Sequence, residues 1–176
     1  LLFFMITDLI LNSLYFFLPA YFANMAPVLL KKFPFLNIPI HRKIFGEHKT
    51  WRGLLLATIM GGLVFWLQKI AFLQGFRSWS IIDYGDFSIL LGLLMGGGAI
   101  IGDLVKSYYK RKEKIPPGKS WIPFDQLDFV IGGLIFTLFV YVPAAPVVVT
   151  LFILSPLLHV LFNYLGYLIK IKKNKF

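Results

Sequence analysis

Cysteine is absent from this 176-residue chain, and acidic residues are scarce. Without cysteine the chain forms neither disulfides nor thiolate metal sites, so any metal ion must be held by other side chains. Only 8 residues are Asp or Glu, against 18 Lys and Arg, which gives a formal net charge of +10. In a soluble protein such an excess would favour a nucleic-acid partner, so the first question is whether the chain is soluble.

Apolar residues, in contrast, are abundant and arranged in long runs. They make up 58% of the sequence, and the mean hydropathy is +0.76. Crossing about 30 Å of hydrocarbon takes roughly 20 helical residues, and such lengths occur in the blocks 2–30, 53–73, 87–106, 127–145 and 147–169. We therefore predict an all-α integral membrane protein with five transmembrane helices that forms a single domain, 1–176.

Two of these blocks have features that predict their shape. The first is longer than one span and contains Pro19, so we expect it to tilt or break near that residue. No basic residue precedes it and no small-residue cleavage site follows it, which favours a spanning helix over a signal peptide. The last two blocks are separated only by the turn signal at 141–146, which predicts a tight helical hairpin.

Basic residues predict how the helices are oriented. Sixteen of the 18 Lys and Arg fall in loop 31–52, in loop 107–126 with the adjacent Lys106, and in the tail after 169. Cytoplasmic loops are enriched in Lys and Arg, so the N-terminus is predicted outside and the C-terminus in the cytoplasm. An anionic membrane surface then explains the charge, and no nucleic-acid partner is expected. We expect a multi-pass protein of the cell membrane; its oligomeric state is left open.

Half of the acidic residues lie in the segment 102–128, between the third and fourth blocks. Asp103, Lys106, Ser107 and Lys110 are spaced i, i+3, i+4 and i+7, which places them on one helical face. Asp103 follows sixteen uncharged residues and so starts inside the bilayer, where a carboxylate is costly unless it is paired or metal-bound. A simple ion pair with Lys106 or Lys110 explains this pattern equally well.

Asp125 and Asp128 are also spaced i, i+3, at the start of the fourth helix. Acids there are stabilised by the helix dipole, and an N-cap role for Asp125 is the simpler alternative. The third helix ends on the side where the fourth begins, so three carboxylates can converge beside Lys106, Lys110 and Arg111. Because Mg²⁺ combines carboxylates with waters and phosphate oxygens, we predict a Mg²⁺ and polyphosphate site there.

Two further segments on the same side can contact an anion. Gly118, after Pro117, permits close backbone approach to a ligand, although the spacing of a Walker phosphate-binding loop is missing. Lys49, Thr50 and Arg52 open the second helix with two cations, a hydroxyl and N-terminal amides, which together suit an anion. Ordinary positive-inside flanking is the alternative for this second segment.

Together these residues resemble the signature of the CTP-dependent phosphatidate cytidylyltransferases. That signature runs as G-D, S-x-x-K-R, a Pro-Gly loop and D-x-x-D, and it matches Gly102-Asp103, Ser107, Lys110-Arg111, Pro117-Gly118 and Asp125-x-x-Asp128. The KTWRG stretch at 49–53 is similar to their KT-x-E-G element, with Arg52 in place of the usual acid. The His-Gly-Gly of bacterial members is absent. The KTWRG and PGKSW-x-P-x-DQLDF elements look like the archaeal branch, the CDP-archaeol synthases.

The resemblance implies a reaction and a set of site residues. The phosphate of an unsaturated digeranylgeranyl glycerol phosphate would attack the α-phosphorus of CTP, giving CDP-lipid and pyrophosphate at a site facing the cytoplasm. Another lipid phosphate, as in CDP-diacylglycerol synthases, is the alternative acceptor. The implied catalytic residues are Asp103, Lys106, Lys110, Asp125 and Asp128, of which the three aspartates hold Mg²⁺. The implied nucleotide-binding residues are Lys49, Thr50, Arg52, Ser107, Arg111 and Gly118.

Two interpretations of other classes remain open. A small transporter subunit would need polar residues along several helices at midplane depth and usually an internal repeat, whereas this chain has few and no repeat. A purely structural membrane protein would use its acids as caps and ion pairs. Among the weaker polar signals, Asn24 could line the site or could equally bond a backbone group freed by Pro27. Asp8 and Asn12 are expected near the outer interface, and hydrogen bonds between helices are the favoured explanation for His159 with Asn163. Glycines 96–98 predict close helix packing.

Overall fold

A computed structural model of the chain describes residues 2–30, 34–116 and 119–168. Within these ranges the regular secondary structure is helical, apart from an isolated bridge between Pro39 and Thr50. The predicted all-α class is therefore confirmed for the described part of the chain. The helices are α1 (Leu2–Phe16), α2 (Leu18–Leu29), α3 (Arg42–Phe45), α4 (Trp51–Leu73), α5 (Leu90–Lys112), α6 (Phe124–Thr137) and α7 (Ala145–Leu168).

Helix α5 lies at the centre of the bundle and packs against α2, α3, α4 and α6. Its glycines allow this, because they leave no side chain between the two backbones. A methyl group at Gly92 would lie 2.6 Å from the carbonyl oxygen of Gly61 on α4, and one at Gly96 would lie 2.7 Å from that of Ala57. On the opposite face, a methyl group at Gly98 would overlap the backbone of Gly132 on α6. The predicted close packing at glycines 96–98 is confirmed.

The first apolar block is broken into α1 and α2, which meet at an angle of 48°. Phe17 lies between them, and Pro19 occupies the first turn of α2, where its missing amide hydrogen costs no helical bond. The predicted break near Pro19 is confirmed. Both helices pack inward at this bend, where Phe16, Phe17 and Ala20 are buried.

Helix lengths account for fewer spans than the sequence predicts. Among the described residues, three helices, α4, α5 and α7, are long and apolar enough to cross a membrane, and the bent pair α1–α2 counts as a fourth if it forms one span. Helix α6 has 14 residues and is about 21 Å long, short of a full crossing. It ends at Thr137 rather than at the predicted residue 145, because the chain turns at 138–140 and continues without helix through Pro143.

At one end of the bundle, the loop between α4 and α5 is held against the core. Tyr84 of this loop is fully buried, with ring contacts to Tyr15, Phe65 and Phe72, and this burial raises the pKa of its hydroxyl. Lys69 on α4 donates to the carbonyl oxygens of Gly85 and Phe87 in the same loop. The loop therefore covers the core at this end of the bundle.

Candidate active site

Lys106, on the last third of α5, is the centre of the predicted acidic site. Its ammonium nitrogen lies 3.0 Å from Asp103 Oδ1, 2.9 Å from Asp125 Oδ1 and 2.8 Å from Asp128 Oδ2. The three carboxylates therefore reach one common point, although they come from two helices. The predicted convergence of the three acids beside Lys106 is confirmed.

Two more lysines complete this cluster. Lys110 Nζ lies 3.1 and 3.0 Å from the two carboxylate oxygens of Asp125, and 2.6 Å from the carbonyl oxygen of Lys119. Lys49, from the loop before α4, donates to Asp103 Oδ2. Of the two ion pairs considered for Asp103, the structure shows the one with Lys106 and not the one with Lys110, because Lys110 reaches across to α6.

Gly102 brings the two acidic segments together. A methyl group at this position would overlap the backbone carbonyl of Asp128, so only glycine lets α6 approach α5 this closely. Asp103, the next residue, then comes level with Asp128. The N-cap residue of α6 is Pro123, two positions before Asp125. The Oδ2 atom of Asp125 accepts a hydrogen bond from the amide of Trp121. The N-cap role considered for Asp125 is therefore wrong; the residue fixes the preceding loop and binds lysines.

The cluster lies on the wall of a cavity of about 340 Å³, within the usual range of small-molecule sites. Helix α5 contributes Ile100, Asp103, Leu104, Lys106 and Lys110 to this wall. Residues of α2, α6, α7 and the loops around α4 close the remaining sides. Their polar members are Asn24, His48, Lys49, Thr50, Lys119, Ser120, Asp125, Gln126, Asp128, His159 and Asn163.

Charge in the described part of the cluster is balanced, with three aspartates against three lysines. Their side chains are largely buried, with an exposed fraction of 5% for Asp128 and 10% for Lys110. Removing such charges from water costs several kcal/mol per ion, so well-packed apolar residues would stabilise the helices as well or better. Retention of six charges at this cost favours a functional role over a purely structural one.

The start of α4 differs from its prediction in one respect. The amide of Trp51 donates to the carbonyl oxygen of Ile38, that of Arg52 to Leu36 and that of Gly53 to the hydroxyl of Thr50. The prediction that these N-terminal amides bind an anion is therefore wrong, because the segment before α3 runs beside them and uses them. Only the side chains of this motif remain available to a ligand.

The other predicted nucleotide-binding residues lie in different places. Thr50 lines the cavity, and Ser107 donates to the backbone carbonyl of Asp103 at 2.7 Å without lining it. Arg111 lies outside the cavity wall, and its buried Nε finds no hydrogen-bond partner among the described residues. Arg52 lines a second, neighbouring cavity. Gly118 lies outside the described residues.

Several cavity residues escape sequence reasoning. Gln126 is 6% exposed, and its Oε1 has no hydrogen-bond partner within the described ranges. In the sequence, Gln126 lies between the predicted metal ligands Asp125 and Asp128. This position is the only sign in the sequence that Gln126 could belong to the site. His159 and Asn163, for which helix packing is the favoured explanation, also line the cavity, as does Asn24, for which lining the site is one of two alternatives. The i, i+4 spacing of His159 and Asn163 shows a shared helical face but not that this face borders a cavity.

The three carboxylates have the right chemistry to bind a hard divalent cation, because Mg²⁺ prefers oxygen ligands of this type. Lys106 donates to all three and thus marks the point that a cation would share. Over the described ranges, no three His, Asp or Glu side chains are placed as a ready metal site. Lys106 stands between the aspartates in this structure, so a metal ion would have to take over some of its contacts.

Comparison with known proteins shows which family the chain belongs to. A family model described as CarS-like, CDP-archaeol synthase, matches residues 6–176. The CDP-archaeol synthase of Pyrococcus furiosus is 35% identical over 171 residues, covering 93% of this chain and 96% of the relative. That of Methanoregula boonei is 36% identical over 138 residues, covering 75% and 81%.

A solved structure also superimposes on the chain, with a TM-score of 0.68 and 26% identity over 88% of this chain and 94% of that one. It is described as an intramembrane enzyme for archaeal membrane lipids biosynthesis. The range that the family model matches includes the segments that form the lysine–aspartate cluster. This chain belongs to the CDP-archaeol synthase family.

Proposed function

We propose that this chain transfers CMP from CTP to 2,3-bis-O-(geranylgeranyl)-sn-glycerol 1-phosphate, giving CDP-archaeol and pyrophosphate for ether-phospholipid synthesis. The observation that carries the proposal is the convergence of three aspartates on Lys106 in the wall of a cavity. Such a group of buried, exchangeable charges suits a polyphosphate substrate, and the chain belongs to a family named for this activity.

The chemistry is a displacement at phosphorus. A phosphate oxygen of the lipid forms a bond to the α-phosphorus of CTP, and the bond from that phosphorus to the bridging oxygen breaks. The electron pair of that bond leaves with pyrophosphate. The protein needs to align the two phosphates and neutralise developing charge, which is how most of the barrier in such transfers is lowered.

Lysines of the cluster supply the positive charge in this proposal. Lys106 contacts three aspartates and Lys110 contacts Asp125, at 2.8–3.1 Å, and phosphate oxygens can replace those carboxylates as partners. Lys49, from the loop before α4, contacts Asp103. Each ammonium is already positioned by its carboxylate, so little reorganisation is needed when the triphosphate enters. Thr50, Ser107, Arg111 and Gly118 are proposed as further nucleotide-binding residues, acting directly or through the backbone of Asp103.

Asp103, Asp125 and Asp128 are proposed to hold Mg²⁺. Divalent metals are typical of nucleotidyltransferases, and a bound ion neutralises phosphate charge and orients the reacting oxygens. The three aspartates also position Lys106. Because the aspartates both hold the metal ion and position Lys106, acidic residues can lie beside a substrate that is itself an anion.

We propose five membrane crossings, with the site facing the cytoplasm. Lys49 and Lys119, from two loops predicted inside, both contact the cluster, which supports their lying at one end of the bundle. Tyr141, just after α6, contacts Phe87 of the opposite loop with ring centroids 5.7 Å apart. This contact supports a crossing made by helix α6 together with its following turn, despite the short helix.

Single-cysteine labelling tests this topology, and the absence of native cysteine makes every label specific. In intact cells, a membrane-impermeant maleimide is expected to label Ser78→Cys and Val142→Cys. The maleimide should label Glu113→Cys only after permeabilisation. All three positions are suitable for labelling because their side chains are exposed. Labelling of Glu113→Cys in intact cells would reverse the orientation. Protection of Val142→Cys in intact cells would mean that α6 does not cross.

The proposed activity is tested with purified protein, CTP, Mg²⁺ and the prenyl-ether glycerol phosphate in detergent micelles. We expect pyrophosphate release that depends on all three added components, together with an equal amount of CDP-lipid. Acyl phosphatidate is the comparison acceptor and is expected to be used less well. Failure to form a CDP-lipid from either acceptor would refute the proposal, whereas preference for phosphatidate would correct only the acceptor.

A further inference from the structure

A second cavity adjoins the first at the start of α4. Its volume is about 480 Å³, and its wall includes Pro27, His48, Thr50 and Gly53, which also border the first cavity. The two cavities therefore meet across the first turn of α4. A ligand in the second cavity would lie next to one in the first.

The second cavity carries its positive charge on arginine side chains, whereas the first carries it on lysines. Arg42 and Arg52 line it, against one acid, Glu47. In the first cavity, by contrast, Lys49, Lys106 and Lys110 are all ion-paired with aspartates. Within the described ranges, the guanidinium of Arg42 has no hydrogen-bond or ion-pair partner. The second cavity thus carries a net positive charge on its two arginines.

Side chains, rather than backbone amides, are the groups that can bind an anion here. The amides at the start of α4 are used by Ile38, Leu36 and Thr50. Arginine, however, presents several N–H donors in a planar fork that matches phosphate, often with two parallel hydrogen bonds. The chemistry of this cavity therefore suits a phosphate group more than an uncharged ligand.

The surroundings indicate that this phosphate belongs to a lipid. Exposed apolar side chains flank the cavity at 39% for Phe35, 44% for Leu36, 60% for Ile38 and 49% for Trp51. A segment that mixes exposed apolar residues with cations is typical of the headgroup level of a bilayer. Lipid phosphates lie at this level, whereas a soluble nucleotide gains nothing from apolar neighbours.

We propose that the cavity lined by Arg42 and Arg52 binds the phosphate monoester of the acceptor lipid, next to the nucleotide in the first cavity. This inference rests on the proposed function. In-line displacement requires the acceptor to approach the α-phosphorus opposite the leaving pyrophosphate, so two separate anion sites are needed. The lysine–aspartate cavity holds the triphosphate, and the arginine cavity holds the acceptor. Arg52 is thereby assigned to the lipid rather than to the nucleotide.

Arg42→Gln and Arg52→Gln test the assignment in steady-state assays with the prenyl-ether glycerol phosphate in micelles. Each variant is expected to raise KM for the lipid roughly 10-fold, because it loses a charge-assisted hydrogen bond. KM for CTP is expected to stay unchanged. Lys43→Gln is the matched control for Arg42→Gln: it removes the same charge from an equally exposed position on the same short helix, but Lys43 lines neither cavity.

A raised KM for CTP with an unchanged KM for the lipid would overturn the assignment and make Arg52 a nucleotide ligand. Constants equal to those of Lys43→Gln would overturn it as well. Binding of the lipid phosphate without CTP gives a readout that does not depend on turnover. The double variant is expected to bind roughly 100-fold more weakly than the wild type, whether or not CDP-lipid forms. Equal binding would refute the lipid site.

Soluble competitors identify the source of the phosphate in the same binding experiment. We expect sn-glycerol 1-phosphate to displace the lipid from the wild type, and inorganic phosphate to do so less well. Displacement by inorganic phosphate as effective as that by glycerol phosphate would indicate a free-phosphate site and overturn the lipid assignment. Melting temperatures of all variants are compared with the wild type to show that the fold is retained.

Discussion

Asp103→Asn is expected to reduce turnover roughly a thousandfold while the protein remains folded. The substitution keeps the shape of the side chain but removes the charge that positions Lys49 and Lys106 and that is proposed to hold Mg²⁺. Loss of one preorganised electrostatic group at a reacting phosphate typically costs this order of rate. Lys106 keeps Asp125 and Asp128 as partners, so the interface between α5 and α6 should survive. Turnover is measured as CDP-lipid formed per unit time.

Asp86→Asn is the matched control for this experiment. Asp86 is an exposed carboxylate in the loop between α4 and α5, at the opposite end of the bundle from the cluster. Its variant is expected to retain wild-type turnover. Gel filtration and thermal unfolding show whether Asp103→Asn is folded. Near-wild-type turnover in a folded Asp103→Asn protein would remove this residue from the catalytic machinery.

Gly102→Ala is expected to lower both stability and activity. The added methyl group would overlap the backbone carbonyl of Asp128, and a backbone cannot rotate away as a side-chain end can. Helix α6 must therefore shift, and overpacking of this kind costs about 1–3 kcal/mol. The same shift would separate Asp128 from Lys106, and displacement of a catalytic group by about 1 Å can reduce the rate roughly 100-fold. Melting temperature and turnover are measured together.

Gly97→Ala, on the same helix, separates this effect from a general effect of alanine. Gly97 is buried, but a methyl group there would meet the Thr58 hydroxyl at 3.4 Å, which is an ordinary contact. Both substitutions change helix propensity equally. Gly97→Ala is therefore expected to keep wild-type stability and turnover. If Gly102→Ala behaved like this control, close approach of α5 and α6 would not be what positions the cluster.

Much of the site is predictable because it depends on local helix geometry. The spacing of Asp103, Lys106 and Lys110 places them on one face of α5 whatever the surrounding fold. Topology then brings the start of the next helix to the same membrane side, and the acids of both segments meet as predicted. Both inferences need only the periodicity of a helix and the positive-inside distribution of charge.

The remaining features depend on contacts between distant segments. Lys106 becomes the common partner of three acids only because Gly98 and Gly102 fix the register of α5 against α6. The amides at the start of α4 are used by segment 36–40, which has no strand-like pattern that would reveal this pairing. The early end of α6 also results from the turn after Thr137, whereas the apolar composition continues past it.

The position of a radioactive label in the products tests the central claim most directly. Purified protein is incubated with Mg²⁺, the prenyl-ether glycerol phosphate and CTP labelled with ³²P at either the α or the γ phosphate. The proposed displacement predicts that the α label enters the lipid product and that the γ label appears only in pyrophosphate. Entry of the γ label into the lipid, or release of the α label as free CMP without a lipid product, would contradict the account.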